Sequence, residues 1–107
     1  MRRIGLTTLA LTAALTAAHA QEPGNAEEGL AYARAHCAEC HGVETMKDDF
    51  SPNADAPDFS VVANTPGMTG RALVVWLQTS HPTMPNFIIP PEARDNLVAY
   101  IMSLKTK

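Results

Sequence analysis

Apolar residues recur along this chain in three helical stripes, separated by stretches rich in turn formers. Ala26, Gly29, Leu30, Ala33 and Cys37 follow three- and four-residue steps, which predicts a helix running into the cysteines. Asn25 is placed to cap it, and Glu28, the third helical residue, to reach back to free N–H groups of the first turn. Thr69 caps a second predicted helix through Gln78, with Leu73, Trp76 and Leu77 on one face and Val74 or Val75 beside them. Pro91 suits the first turn of a third helix, where its missing N–H is no loss, and Glu92 suits the same turn electrostatically. Leu97, Val98, Tyr100, Ile101 and Leu104 form its apolar stripe, and Lys105 and Lys107 fit its C-terminal end. Residues 43–68 show no sustained period and read as a long loop. The proline-rich run from His81 to Asn86 reads as a stiff second loop, closed by Pro90-Pro91. No segment alternates as a strand does, and no repeat is visible. The expected class is all-α, three to four helices with two long loops, and such loops tend to be functional or to wrap something.

The first twenty residues have a pattern of their own. Met1, Arg2 and Arg3 give a charged start, Ile4 to Ala18 an apolar and small-residue run, and Ala18-His19-Ala20 a small-residue ending. That layout describes a secretory signal cut between Ala20 and Gln21. The run is short and dotted with threonine for a membrane span, which takes roughly 20 apolar residues; retention as an uncleaved anchor is the alternative. Gln21 in place of a cysteine argues against a lipoprotein, and Arg2-Arg3 without the usual flanking residues is poor support for twin-arginine export. The expected organisation is a signal peptide over 1–20 and one domain over 21–107. The domain is expected to be periplasmic in a Gram-negative cell, without a membrane span after cleavage.

The formal net charge of the 107-residue chain is −3. Losing the signal removes two of eight basic residues and leaves six against eleven acids. An acidic domain does not fit nucleic acid, whose phosphates demand a basic face. Glu39, Glu44, Asp48, Asp49, Asp55 and Asp58 gather around the cysteines, either as a solvated loop or as a charged face that steers a basic partner. A domain this short buries a limited core, and small exported domains often compensate with several disulfides. Two cysteines in total leave apolar area to be supplied by something else.

Those cysteines stand in Cys37-Ala38-Glu39-Cys40-His41. A redox-active C-x-x-C should follow a strand in a βαβ setting, and none precedes it here. A local disulfide would close a tiny loop and stabilise little. Zinc needs four ligands; the pair supplies two, and His19, His36, His41 and His81 make no second half-site. C-x-x-C-H is also the attachment sequence of c-type haem. On a helical turn Cys37 and Cys40 can each bond a vinyl group of the porphyrin, and His41, four residues after Cys37, lies on the same face under the iron. Export fits as well, since this haem is attached outside the cytoplasm. The motif favours one covalent haem c over the other two readings.

With that motif, a Met-Pro pair at Met84-Pro85 and a final helix bearing Leu97 and Tyr100, the chain from Gly29 to Leu104 resembles the class I c-type cytochromes. The resemblance implies the cytochrome c fold, with first and last helices crossing closely at a glycine eight residues before the first cysteine; Gly29 has that spacing. The aromatic usual four residues before the first cysteine is Ala33 here, with Tyr32 beside it, which leaves Tyr100 to fill the space. The resemblance also implies a proline carbonyl accepting from the proximal histidine. Ala56-Pro57-Asp58-Phe59 resembles that segment, so Pro57 is the choice and Pro52 the runner-up.

His41 leaves one axial position of the iron, for which Met46, Met68, Met84, Met102, His36 and His81 are the candidates. Met102 belongs to the final helix and reads as core, Met46 is too close to His41 in sequence, and Met68 reads as loop packing or a haem-edge contact. Met84 is flanked by Pro82 and Pro85, which fix φ and stiffen the loop enough to hold a weakly binding thioether. The alternatives are Met84 as core filler or His81 as ligand. Leu73, Leu77, Phe59, Phe87 and Ile88 are expected to line the porphyrin, and Trp76 either donates to a propionate or packs in the core.

The expected function is single-electron transfer through a His41/Met84-ligated haem, without catalysis. The partners would be a donor dehydrogenase and an acceptor oxidase or reductase, docked transiently by a monomer. The alternatives are a haem subunit bound permanently to a periplasmic dehydrogenase, and an open-site haem enzyme or gas sensor.

Overall fold

The computed structural model describes residues 22–45, 49–79, 81 and 83–106. The expected signal over 1–20, Met46 and Asp48 lie outside the described residues. Among the described residues four helices follow one another: α1 (Ala26–His36), α2 (Phe59–Ala63), α3 (Gly70–Gln78) and α4 (Pro91–Ser103). There is no strand among the described residues, and no described helix is long and apolar enough to cross a membrane. The all-α expectation holds. The expected loop over 43–68 is not wholly irregular, because α2 sits inside it. At five residues α2 is too short to show a period, and it is held by burying Phe59 and Ala63, four apart on one face.

Two of the expected helix starts are capped as the sequence implies. The Asn25 side chain accepts from Glu28 N–H at 3.1 Å, and Thr69 Oγ1 accepts from Ala72 N–H at 3.1 Å. Glu28 does not close the reciprocal bond. Its carboxylate instead accepts from Asn96 Nδ2 at 2.9 Å, and Asn96 Oδ1 accepts from Asn25 N–H at 2.8 Å. A buried amide must satisfy both its ends, and Asn96 does so by gripping the start of α1 from the side of α4.

That grip belongs to the main helix–helix contact, α1 across α4. A Cβ on Gly29 would collide with the Asn96 carbonyl and crowd Tyr100 Cβ, so only glycine lets the backbones approach this closely. Ala33, one turn on, is completely buried, and Tyr100 fills the neighbouring space with its hydroxyl donating to the Val43 carbonyl. Burial first, and Glu44 next, raise the Tyr100 phenol above its ordinary value, so it remains a donor at neutral pH. The far end of α4 is tied down by the α2–α3 connection: Asn64 Nδ2 donates to the Leu104 carbonyl at 3.2 Å. Lys105 Nζ donates to the Met68 carbonyl at 2.8 Å.

Replacing Gly29 by Ala forces these backbones apart. Overpacking of this kind typically costs about 1–3 kcal/mol, and the Gly29→Ala protein is expected to lose that much unfolding free energy in a denaturant titration.

Candidate functional site

α1 ends at Cys37, and the chain makes one further hydrogen-bonded turn. Cys37 N–H donates to the Ala33 carbonyl at 2.8 Å, and His41 N–H to the Cys37 carbonyl at 2.9 Å. The turn presents Cys37, Cys40 and His41 to a cavity of about 570 Å³, within the roughly 300–1,000 Å³ typical of cofactor sites. Its wall is mostly apolar. Phe59 and Val62 of α2, Leu73 and Leu77 of α3, Leu97 and Ile101 of α4, and His81, Thr83, Met84, Pro85, Phe87 and Ile89 complete it.

The two cysteines are not bonded to each other. Burial pushes the Cys37 thiol up to about 11, opposite to the lowered value that makes a cysteine an attacking thiolate. Among the described residues no group of three or more His, Cys, Asp or Glu side chains is placed to hold a metal ion. Cys37 is thus not placed as an activated thiolate, and the pair belongs to no such cluster among the described residues.

His41 is fixed from behind. Its Nδ1 lies 2.7 Å from the Pro57 carbonyl oxygen, an acceptor only, so Nδ1 is the donating nitrogen and Nε2 is the one left for another partner. Its ring packs against Phe59, centroids 5.1 Å apart. The Pro57 segment is held in turn: Asp58 Oδ1 accepts from Ser51 N–H at 2.7 Å and from Ser51 Oγ at 2.5 Å. Gly42 N–H donates to Ser51 Oγ at 3.0 Å, and Phe59 N–H to the Gly42 carbonyl at 2.9 Å. A Cβ on Gly42 would lie 2.5 Å from Asp58 Oδ1, so this clamp closes only on glycine. Pro57, not the runner-up Pro52, is the proline at His41.

On the remaining wall, Leu73 is buried and Leu77 half-buried, whereas Trp76 and Phe87 line the cavity with about half of each side chain exposed. Trp76 meets His81 edge-on, centroids 5.5 Å apart. Met84 is half-buried on the wall, its Sδ 2.8 Å from His81 Nε2. Ile88 corrects an expectation: it is 96% exposed and does not line this cavity. Phe87 and Ile89 do, which is the alternation of a chain that is extended rather than helical. Tyr32, Met68, Leu97 and Ile101 also line it. Of these, Leu97 and Ile101 were legible only as a core stripe, since one apolar face looks the same whether it meets protein or a bound group.

The acids around the cysteines divide. Glu44 is paired with Arg34, which holds its carboxyl below the usual range, while Asp49 accepts from Glu44 N–H and Asp58 from Ser51. Glu39 and Asp55 are exposed and border the cavity.

A protein-family model described as Cytochrome c matches residues 26–105. Searches of curated proteins and of solved structures each returned no match. The group this family implies is haem c, and the residues fit it. Cys37, Cys40 and a histidine whose Nδ1 is committed to the Pro57 carbonyl all line one apolar cavity.

Removing the carboxylate that anchors Ser51 should loosen the clamp on His41. Asp58→Ala is expected to cost about 1–3 kcal/mol of stability, the usual penalty for stranding partly buried donors. Faster solvent exchange of the His41 Nδ1 proton should accompany it, measured by NMR.

Proposed function

The chain belongs to the cytochrome c family, and from that membership we propose a periplasmic carrier of single electrons in which His41 and Met84 are the axial ligands of a covalently attached haem. Bound haem supplies an iron that passes between ferric and ferrous by one electron. Carrying this reading is the observation that one apolar cavity is walled by both cysteines, by Met84 and by His41 with its Nδ1 already committed.

The chain's own residues account for the behaviour of a carrier. His41, backed by the Pro57 carbonyl, is a more basic and better oriented donor than a free imidazole. A Met84 thioether as the second donor raises the reduction potential relative to two histidines. Phe59, Leu73, Leu77 and Phe87 exclude water from the iron and favour its less charged, reduced state. Trp76 stands at the wall with its indole half in solvent, suited to donate to a haem propionate. With both axial positions filled from the chain, little rearranges on electron transfer.

Redox encounters use small interfaces and gain from electrostatic steering. The partners proposed are a donor dehydrogenase and an acceptor oxidase or reductase with basic patches, met by exposed Glu39 and Asp55 beside the cavity. The periplasmic location rests on the charged, apolar and small-residue pattern of residues 1–20.

In the matured protein, Met84→Ala is expected to abolish the weak long-wavelength absorption of iron–sulfur bonding. It should also lower the potential by on the order of 100 mV, well inside the ~0.8 V that axial ligands span; an unchanged spectrum and potential would mean another residue binds. Electron exchange with a basic partner should slow as salt is added, because screening shortens the reach of Glu39 and Asp55. A rate indifferent to ionic strength would remove the steering.

A further inference from the structure

Among the described residues α1 and α3 do not pack on each other; both lean on α4. What joins them is the short segment ahead of α1. Asn25 N–H donates to Asn96 Oδ1 at 2.8 Å, which fixes the end of that segment on α4. One residue earlier the chain crosses α4 in close contact. Gly24 has φ of 104°, a left-handed value that suits glycine, and a Cβ there would overlap the Asp95 carbonyl. Glu22 then reaches the first turn of α3, where a Cβ on Gly70 would overlap its carboxylate. Glycine is thus needed where the segment meets α4 and again where it meets α3. The charge suits the place as well. The start of a helix carries partial positive charge on its unpaired N–H groups and favours an anion. α3 has no acid in its own first turn, so Glu22 brings from outside what Glu27 and Glu28 supply within α1.

We propose that Glu22–Asn25 is a strap that seats α3 against the α1–α4 pair, with Glu22 as its positioning residue, and so holds the cavity wall that α3 carries. Leu73, Trp76 and Leu77 of α3 belong to that wall, and beyond Gln78 the chain runs into the segment that bears Met84. With Glu22 released, α3 is freer to lean away from α4, and the cavity opens on that side. The strap itself requires no bound group; its consequence for entry to the iron rests on the haem reading.

The test uses the full chain matured with haem, as wild type, Glu22→Ala, Gly70→Ala and the double variant. Hydrogen exchange of the α3 amides is followed by NMR, with α1 and α4 as internal references, and the rate at which added imidazole binds the ferric protein is the second readout. Glu22→Ala should lower α3 protection about two- to five-fold, the size of one anion–helix-end interaction, leave α1 and α4 unchanged and admit imidazole faster. In Gly70→Ala the new methyl already pushes the flexible carboxylate off its seat, so removing Glu22 there should change neither readout. Comparing the four proteins cancels the separate effect of alanine on helix propensity. A Glu22→Ala protein with wild-type α3 exchange overturns the proposal, as does an equal loss of protection whichever residue stands at 70. An α3 that loosens while imidazole binds no faster overturns its hold on the wall. If the wild-type spectrum shows no iron–sulfur bond, the Met84 reading is what fails, and the α3 exchange still decides for or against the strap.

Discussion

Leu73, Leu97 and Ile101 are almost wholly withdrawn from solvent, yet each also lines the cavity of about 570 Å³. These buried side chains pack on one another behind the wall, whereas half-exposed Trp76 and Phe87 and half-buried Leu77 and Met84 turn apolar surface toward a space that protein atoms do not fill. A side chain facing such a space forfeits dispersion contacts on that side, and a short chain has little other core to offset the loss. The fold depends on a group that completes this interior. Thioether bonds to Cys37 and Cys40 suit the requirement, because a tethered group cannot be lost by dilution as a reversibly bound ligand is.

The α1–α4 crossing sets where that group is attached. Gly29 admits the Asn96 carbonyl, Asn96 holds both Asn25 and Glu28, and Tyr100 reaches past Ala33 to the Val43 carbonyl, two residues beyond His41. Both sides of the Cys37–His41 turn are therefore fastened to α4, one through α1 and one through Val43. From the other direction the Ser51–Asp58–Gly42 bonds fasten the same turn to Pro57. The turn has little freedom to move relative to either.

Much of this was legible in the residues. The periods of α1, α3 and α4 and the Asn25 and Thr69 caps follow from local chemistry and spacing, and the close approach at Gly29 was implied by the family resemblance. What escaped depended on long-range partners. Glu28 has a capping position, but its carboxylate follows an amide 68 residues away. α2 is too short to carry a period and exists because Phe59 and Ala63 find a core. Ile88 reads as apolar lining until the extended backbone turns it outward and brings in Ile89. Six acids near the cysteines read as either a solvated loop or a charged face, and among the described ones Glu44, Asp49 and Asp58 are occupied by Arg34, a backbone amide and Ser51. Composition counts charges; it does not show which of them are already paired.

The two histidines on the cavity wall share a hydrogen-bonding scheme but differ in support. His41 stands on a helical turn, backed by Pro57 and packed on Phe59, with a network beneath it that leaves no room for a Cβ at Gly42. His81 and Met84 stand on a non-helical segment that includes a strained Thr83 and borders a second cavity. Stiffness on the first side holds the His41 imidazole to one orientation on the wall, whereas the second side has no comparable network behind it among the described residues.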